Sequence, residues 1–276
     1  MASPNPRSYD LGELLAFYAE AGVDEALDDG PIDRFAESAA AKAARSAPRE
    51  APRQLPVREE APRMEARPAQ AVVPDGTQAA LARELARNAA TLDELRQVMA
   101  DFDGCNLKTT AKSMVFADGN PDADLMLVGE APGRDEDIEG LPFVGRSGQL
   151  LDRILAAIGR DRSSAYIANV IPWRPPGNRT PTPHETEICR PFIERQIELA
   201  NPKVLVALGG PSAKLLTGAT EGVLRVRGGW REHLTAGGTA IPTMPTLHPA
   251  YLLRNPAHKK LAWRDFLEIK ARLRQG

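Results

Sequence analysis

Long apolar runs are missing from this 276-residue chain. Nothing approaches the roughly 20 consecutive apolar residues that span a bilayer, so a helical membrane protein is excluded. The start, Met1-Ala2-Ser3-Pro4-Asn5, lacks the charged and apolar blocks of a secretory signal, and a cytoplasmic protein is expected. Cysteine is nearly absent. Cys105 and Cys189 are the only two, and even with His184 they lack the close ligand spacings of a zinc site; a reducing compartment also disfavours joining them as a disulfide. The net charge is only −2, which argues against an overtly electrostatic nucleic-acid binder. The balance is uneven, since residues 1–100 carry 12 Lys/Arg against 17 Asp/Glu and residues 101–276 carry 23 against 20. An excess of that size permits phosphate binding without implying it, so individual Arg and Lys positions decide. Neither G-x-x-x-x-G-K-[ST] nor a G-x-G-x-x-G at the first strand occurs, which speaks against a nucleotide-binding protein.

What is present divides into three parts. Residues 1–35 hold Leu11, Leu14, Leu15, Phe17, Tyr18, Ala21, Val23 and Leu27 at roughly helical spacing, a short amphipathic segment that either docks a protein partner or only packs. Residues 36–75 shift to Ala, Pro, Arg and Glu, a composition that buries too little surface to offset chain entropy, so a disordered linker is expected there. Residues 76–276 carry the folded domain. An apolar stripe of Leu81, Leu85, Ala89, Leu92, Leu95 and Met99 predicts one helix from Thr77 to Met99, and beyond Asp101 strands and helices alternate. Strands are expected at Ala123–Val128, Ala165–Ile171, Lys203–Leu208 and Ile241–Leu247, and helices at Ser147–Ile158, Pro183–Ala200, Pro211–Leu216 and from His258 onward. This alternation predicts a three-layer α/β/α domain around a mostly parallel four-stranded sheet.

Four segments fall at the ends of these strands. They are Gly129-Glu130-Ala131-Pro132-Gly133, Pro142-Phe143-Val144-Gly145-Arg146-Ser147-Gly148, Asn169 with Arg174-Pro175-Pro176-Gly177-Asn178-Arg179, and His248-Pro249-Ala250-Tyr251-Leu252-Leu253-Arg254. Open α/β sheets bind ligands outside the carboxyl ends of their strands, so a carboxylate between glycines at such an end marks a site. Each segment alone also has a plain reading: Asn169 as a residue bonding the local backbone, His248 as a packed histidine before Pro249, Asp135-Glu136-Asp137 as a solvated turn, Leu252-Leu253 as a buried helix turn.

In this order the four segments resemble family 4 of the uracil-DNA glycosylase superfamily over residues 101–274. The resemblance implies that fold, and hydrolytic release of uracil from single- and double-stranded DNA by a monomeric enzyme. An enzyme of this kind extrudes the nucleotide into a pocket, reads its edge and stacks it against an apolar surface. Phe143 suits the stacking, with Gly129 and Ala131 shaping the pocket. The Asn169 amide offers one donor for uracil O4 and one acceptor for N3–H, which cytosine reverses. The resemblance places His248 near uracil O2, where negative charge develops; Glu130 and Glu136 are the carboxylates expected to act on water or favour a cationic sugar, Glu130 first for its proximity and Glu136 second because the acidic run also reads as a solvated turn. Arg146, Ser147, Arg174, Asn178, Arg179, Tyr251, Leu252 and Arg254 are expected to hold DNA, the leucines as a wedge.

The chain departs from this family in one respect. Its members use four cysteines for a [4Fe–4S] cluster, and here Phe102 and Trp173 stand at two of those positions, leaving Cys105 and Cys189 as remnants. No cofactor and no metal are therefore expected, with the two aromatics filling the volume. No basic insertion follows Gly145-Arg146-Ser147-Gly148, so turnover is expected in place of covalent capture. A lesion-binding module of the same fold that has lost efficient catalysis is the alternative, disfavoured by the retained Glu130, Asn169 and His248.

Overall fold

A computed structural model describes residues 75–275. The amphipathic segment expected at 1–35 and the linker expected at 36–75 lie outside the described residues, apart from Asp75, which opens the first helix.

Six strands form one sheet in the order β1-β3-β2-β4-β6-β5: β1 (Ala117–Gly119), β2 (Leu125–Gly129), β3 (Tyr166–Asn169), β4 (Val204–Leu208), β5 (Arg231–Leu234) and β6 (Ala240–Thr246). The central four, β3-β2-β4-β6, run parallel and are the four read from the sequence. Two antiparallel edge strands extend them, β1 against β3 and β5 against β6. In β2 every residue is buried, with Leu125 and Leu127 in one hydrophobic layer and Met126 and Val128 in the other. Alternate side chains of a strand point to opposite faces, so helices must cover both.

Helices α1 (Asp75–Asn88), α2 (Leu92–Asp101), α6 (Pro183–Ala200) and α7 (Gly210–Thr217) contribute to the layer that includes Met126 and Val128. Helices α5 (Arg146–Ala157) and α10 (Lys259–Leu273) cover the other, with Leu151, Leu155, Phe266 and Ile269 on Leu125 and Leu127. Short helices α3 (Leu107–Thr110), α4 (Arg134–Glu139), α8 (Val223–Val226) and α9 (Pro249–Arg254) complete the domain. No described helix is long and apolar enough to cross a membrane.

The single helix expected over Thr77–Met99 is two. Thr91 begins the second one, its hydroxyl accepting from Glu94 N (3.1 Å) while the Glu94 carboxylate accepts from Ala90 N (2.7 Å). That local cap satisfies amide donors that a continuous helix would have used internally, and the apolar stripe continues across the break because both halves pack against the same layer. Helix α6 starts where Thr182, Pro183 and Glu185 predict, with Thr182 as N-cap and Glu185 reaching back to its amide.

Candidate active site

Parallel pairing of β2 with β3 sets Gly129 opposite Asn169. The pairing runs one step further, Val170 N donating to Gly129 O and Ile171 N to Glu130 O (both 3.0 Å), so Glu130 and Asn169 leave the sheet side by side. Gly129 is the floor beneath them. A Cβ there would meet Asn169 Oδ1 at 2.4 Å and Phe143 Cζ at 2.7 Å, so only glycine lets both side chains lie so close.

Phe143 itself holds the left-handed backbone conformation at φ 55°. Arg162 donates to its carbonyl and to that of Pro142, and Gly148 lies against the same carbonyl, where a Cβ would clash at 1.6 Å. The ring stacks on His248, centroids 5.4 Å apart and planes inclined by 27°. His248 is the N-cap of α9, and its Nδ1 accepts from Ala250 N at 3.1 Å. That bond requires a bare Nδ1, so in the neutral ring Nε2 carries the proton. Burial first, and the nearby Arg254 cation second, push its pKa down to about 4.

Glu130, Asn169, Phe143 and His248 converge on a cleft of about 420 Å³ at the carboxyl end of the sheet. Ala131, Glu136, Ser147, Asn178, Arg179, Tyr251 and Arg254 also line it. No hydrogen bond or ion pair to another described residue holds the Glu130 carboxylate, and burial raises its pKa. The turn Gly209-Gly210-Pro211 after β4 forms a further wall that sequence reasoning missed. Its signal is a strand ending in two glycines before a proline at a helix start; Gly209 adopts φ 95°, and a Cβ there would meet His248 Cβ at 3.2 Å.

Several expected roles change. Glu136 is buried, and the acidic run is not a solvated turn: one Glu136 oxygen accepts from Gly133 N and the other from Val144 N and Gly145 N, each at 3.1 Å. A carboxylate saturated by three backbone donors joins two loops and is poorly placed to activate water. Arg179 lines the cleft but engages Glu185 through both terminal nitrogens, 2.6 and 2.8 Å, a pairing that holds the Glu185 pKa down at about 2. Its charge is thereby largely used within the loop. Arg174 and Arg146 are not among the lining residues; Arg174 donates to Asn178 Oδ1 at 2.7 Å, stiffening the same loop. Leu252 is buried with Leu247 and Ala262, so it cannot act as a wedge, and Leu253 is the exposed one of the pair.

A model of the uracil DNA glycosylase superfamily matches residues 116–267. The chain is 40% identical over 174 residues to a type-4 uracil-DNA glycosylase of Thermotoga maritima, covering 61% of this chain and 88% of the relative. Type-4 uracil-DNA glycosylases of Archaeoglobus fulgidus and Saccharolobus solfataricus are each 38% identical, over 183 and 190 residues. Those matches cover 65% and 66% of this chain and 92% and 86% of the relatives. The chain belongs to the type-4 branch of the uracil-DNA glycosylase superfamily.

The iron–sulfur cluster of type-4 glycosylases requires four ligands, and the residues present here do not fit one. Cys105 and Cys189 lie side by side, Sγ to Sγ 3.9 Å, both without exposure. Phe102 and Trp173 are buried in the same hydrophobic layer, and Phe102 packs edge-on against Phe192 with centroids 5.1 Å apart. No group of three His, Cys, Asp or Glu among the described residues could hold a metal ion.

Proposed function

We propose that this member of the family is a monofunctional uracil-DNA glycosylase that works without a metal cluster. The observation that carries the reading is the cleft in which Glu130, Asn169, Phe143 and His248 converge. An extruded uracil stacks on Phe143, and the Asn169 amide donates to O4 and accepts from N3–H, a pairing that cytosine cannot match. As the N-glycosidic bond breaks, its electron pair moves to uracil N1 and O2 while the sugar becomes cationic. His248 meets that charge as a neutral donor through Nε2–H. Its low pKa supports this role, because a neutral imidazole stabilises the anion by a strengthening hydrogen bond without giving up its proton.

Water then attacks C1′, losing a proton as the new C–O bond forms. Glu130 is the carboxylate placed for that step: it lines the cleft, and burial makes it a stronger base than an ordinary glutamate. The packing of Phe102 and Trp173 supports a site held by apolar contact where relatives use iron and sulfur. DNA is held by Ser147, Asn178, Tyr251 and Arg254 around the cleft, with Leu253 as the wedge.

The test is a uracil-containing oligonucleotide treated with protein and then with alkali. The wild type yields cleaved product, and Asn169→Ala and His248→Ala yield far less. DNA binding without product would instead favour a lesion-binding module.

A further inference from the structure

Beyond the cleft, one exposed surface has the chemistry of a nucleic-acid track. The Tyr251 hydroxyl and His258 Nδ1 share a hydrogen bond of 2.7 Å, and their rings stack at 5.6 Å, so the cleft wall is tied directly to the start of α10. From there Lys260, Trp263, Arg264 and Leu267 follow at helical spacing on the solvent side, opposite the buried Ala262, Phe266 and Ile269. Trp263 is 42% exposed, although an indole is among the larger apolar groups a fold can cover. Lys260 and Arg264 form no ion pair with another described residue. The only acids from Tyr251 onward are Asp265 and Glu268, and Asp265 is buried against Arg227. Arg254, which lines the cleft, continues the same positive edge.

We propose that this face of α10 binds the single-stranded flank of the DNA strand whose uracil occupies the cleft. Trp263 stacks a base and Lys260 and Arg264 contact neighbouring phosphates. The proposal rests on the glycosylase reading above. Two features favour a nucleic-acid strand as the occupant: the helix starts beside a residue bonded to the cleft wall, and its solvent face combines an aromatic platform with cations that pair with no described residue, as sequence-tolerant single-strand sites do. Trp263 stands about 6 Å along the axis from Lys259, the first residue of the helix, and the residue before it, His258, is bonded to Tyr251 of the cleft.

The experiment uses the full chain and uracil oligonucleotides lengthened stepwise on the 5′ side or on the 3′ side. In the wild type, kcat/KM rises as one flank reaches α10. Trp263→Ala removes about tenfold of that gain through KM and leaves the shortest substrate unchanged, as expected from base–aromatic stacking; Trp263→Phe restores most of it. Lys260→Ala with Arg264→Ala flattens the salt dependence on long substrates only. Equal loss on short and long substrates, or no loss on any, overturns the proposal, as does recovery by Trp263→Leu to the level of Phe, which would mark a generic apolar contact with some other partner. If the wild type releases no uracil, the glycosylase reading fails by itself. Anisotropy of a labelled uracil-free oligonucleotide with wild type and Trp263→Ala then decides the α10 site, and equal affinities overturn it.

Discussion

Arg162 donates to the carbonyl oxygen of Phe143, and the same guanidinium reaches the Pro142 carbonyl at 3.1 Å, Asp152 at 2.9 Å and Asp118. A residue that does not itself line the cleft thus fixes the backbone of Phe143, which does. Phe143 sits at φ 55°, a conformation that a bulky side chain keeps only when its surroundings over-determine it.

Arg162→Ala is therefore expected to slow uracil release more than it weakens DNA binding. The Phe143 ring loses its fixed angle against His248, and two half-buried carboxylates lose their partner. We expect unfolding to be easier by about 1–3 kcal/mol, the range for unpaired hydrogen-bonding groups of partial burial. Single-turnover kinetics beside thermal melts separates the two effects, and unchanged kinetics would remove Arg162 from the positioning of Phe143.

Gly129→Ala should behave as a defect of the pocket. The new methyl meets Asn169 and Phe143 at distances no real contact tolerates, so one must move; overpacking of this kind typically costs ~1–3 kcal/mol. Asn169→Ala removes the amide proposed to read the uracil edge and leaves Gly129 intact, so its loss, on the order of 100-fold, falls on uracil release with stability little changed. Oligonucleotide cleavage assays and melting curves on both variants check the contrast.

His248 supplies a pH signature. Its folded pKa of about 4 lies below the usual imidazole value of 6.5, so the fold favours the neutral ring. Its contribution to stability is full above pH 6.5 and falls away as pH drops from there toward 4, reaching a loss of about 3 kcal/mol at most by linkage. Activity should not show a histidine titration near neutrality. Burial raises the Glu130 pKa, so an acid limb set by Glu130 lies above that of an ordinary glutamate. An activity profile with an inflection near pH 6.5 that disappears in His248→Gln would contradict this assignment.

Glu185 contributes at lower pH still. Paired with Arg179, its carboxyl titrates near 2 against 4.5 for the free group, so its support is complete above pH 4.5 and is lost as pH falls toward 2. Glu185→Gln should flatten acid unfolding in that window and loosen the loop from Arg174 to Pro181. Arg179→Ala should have the same effect on the loop and only a small one on the salt dependence of DNA binding, since the cation is already engaged. A full unit of change in the salt slope would return Arg179 to the phosphate contacts.

Much of this is legible in the sequence. The parallel strands were readable because β2 and β4 are continuous apolar runs and because Thr182, Pro183 and Glu185 announce a helix start. β1 and β5 were not, being short edge strands in which only His233 is buried, so neither shows an apolar period. Glu136 looked like a second catalytic acid because composition cannot tell a carboxylate facing substrate from one facing three amides. The leucine pair was resolvable only in three dimensions, since adjacent helical residues point about 100° apart and either one could have been the buried partner.

Preparations purified without oxygen are expected to carry little iron and to lack a broad visible band. Chelators should leave the melting temperature unchanged, and Cys105→Ala should cost about 1 kcal/mol or less, as a small buried side chain replaced by one nearly its size. Stoichiometric iron would overturn the cluster-free reading.

The Glu136 carboxylate spans the Gly133 and Val144-Gly145 amides, so the loop after β2 and the loop that leads into α5 share one fastening. On the glycosylase reading, the DNA bends and unstacks to reach loops already fastened together, and Glu136→Gln, by weakening that single clip, should leave two loops to be gathered anew at every turnover, seen as slower uracil release in single-turnover kinetics.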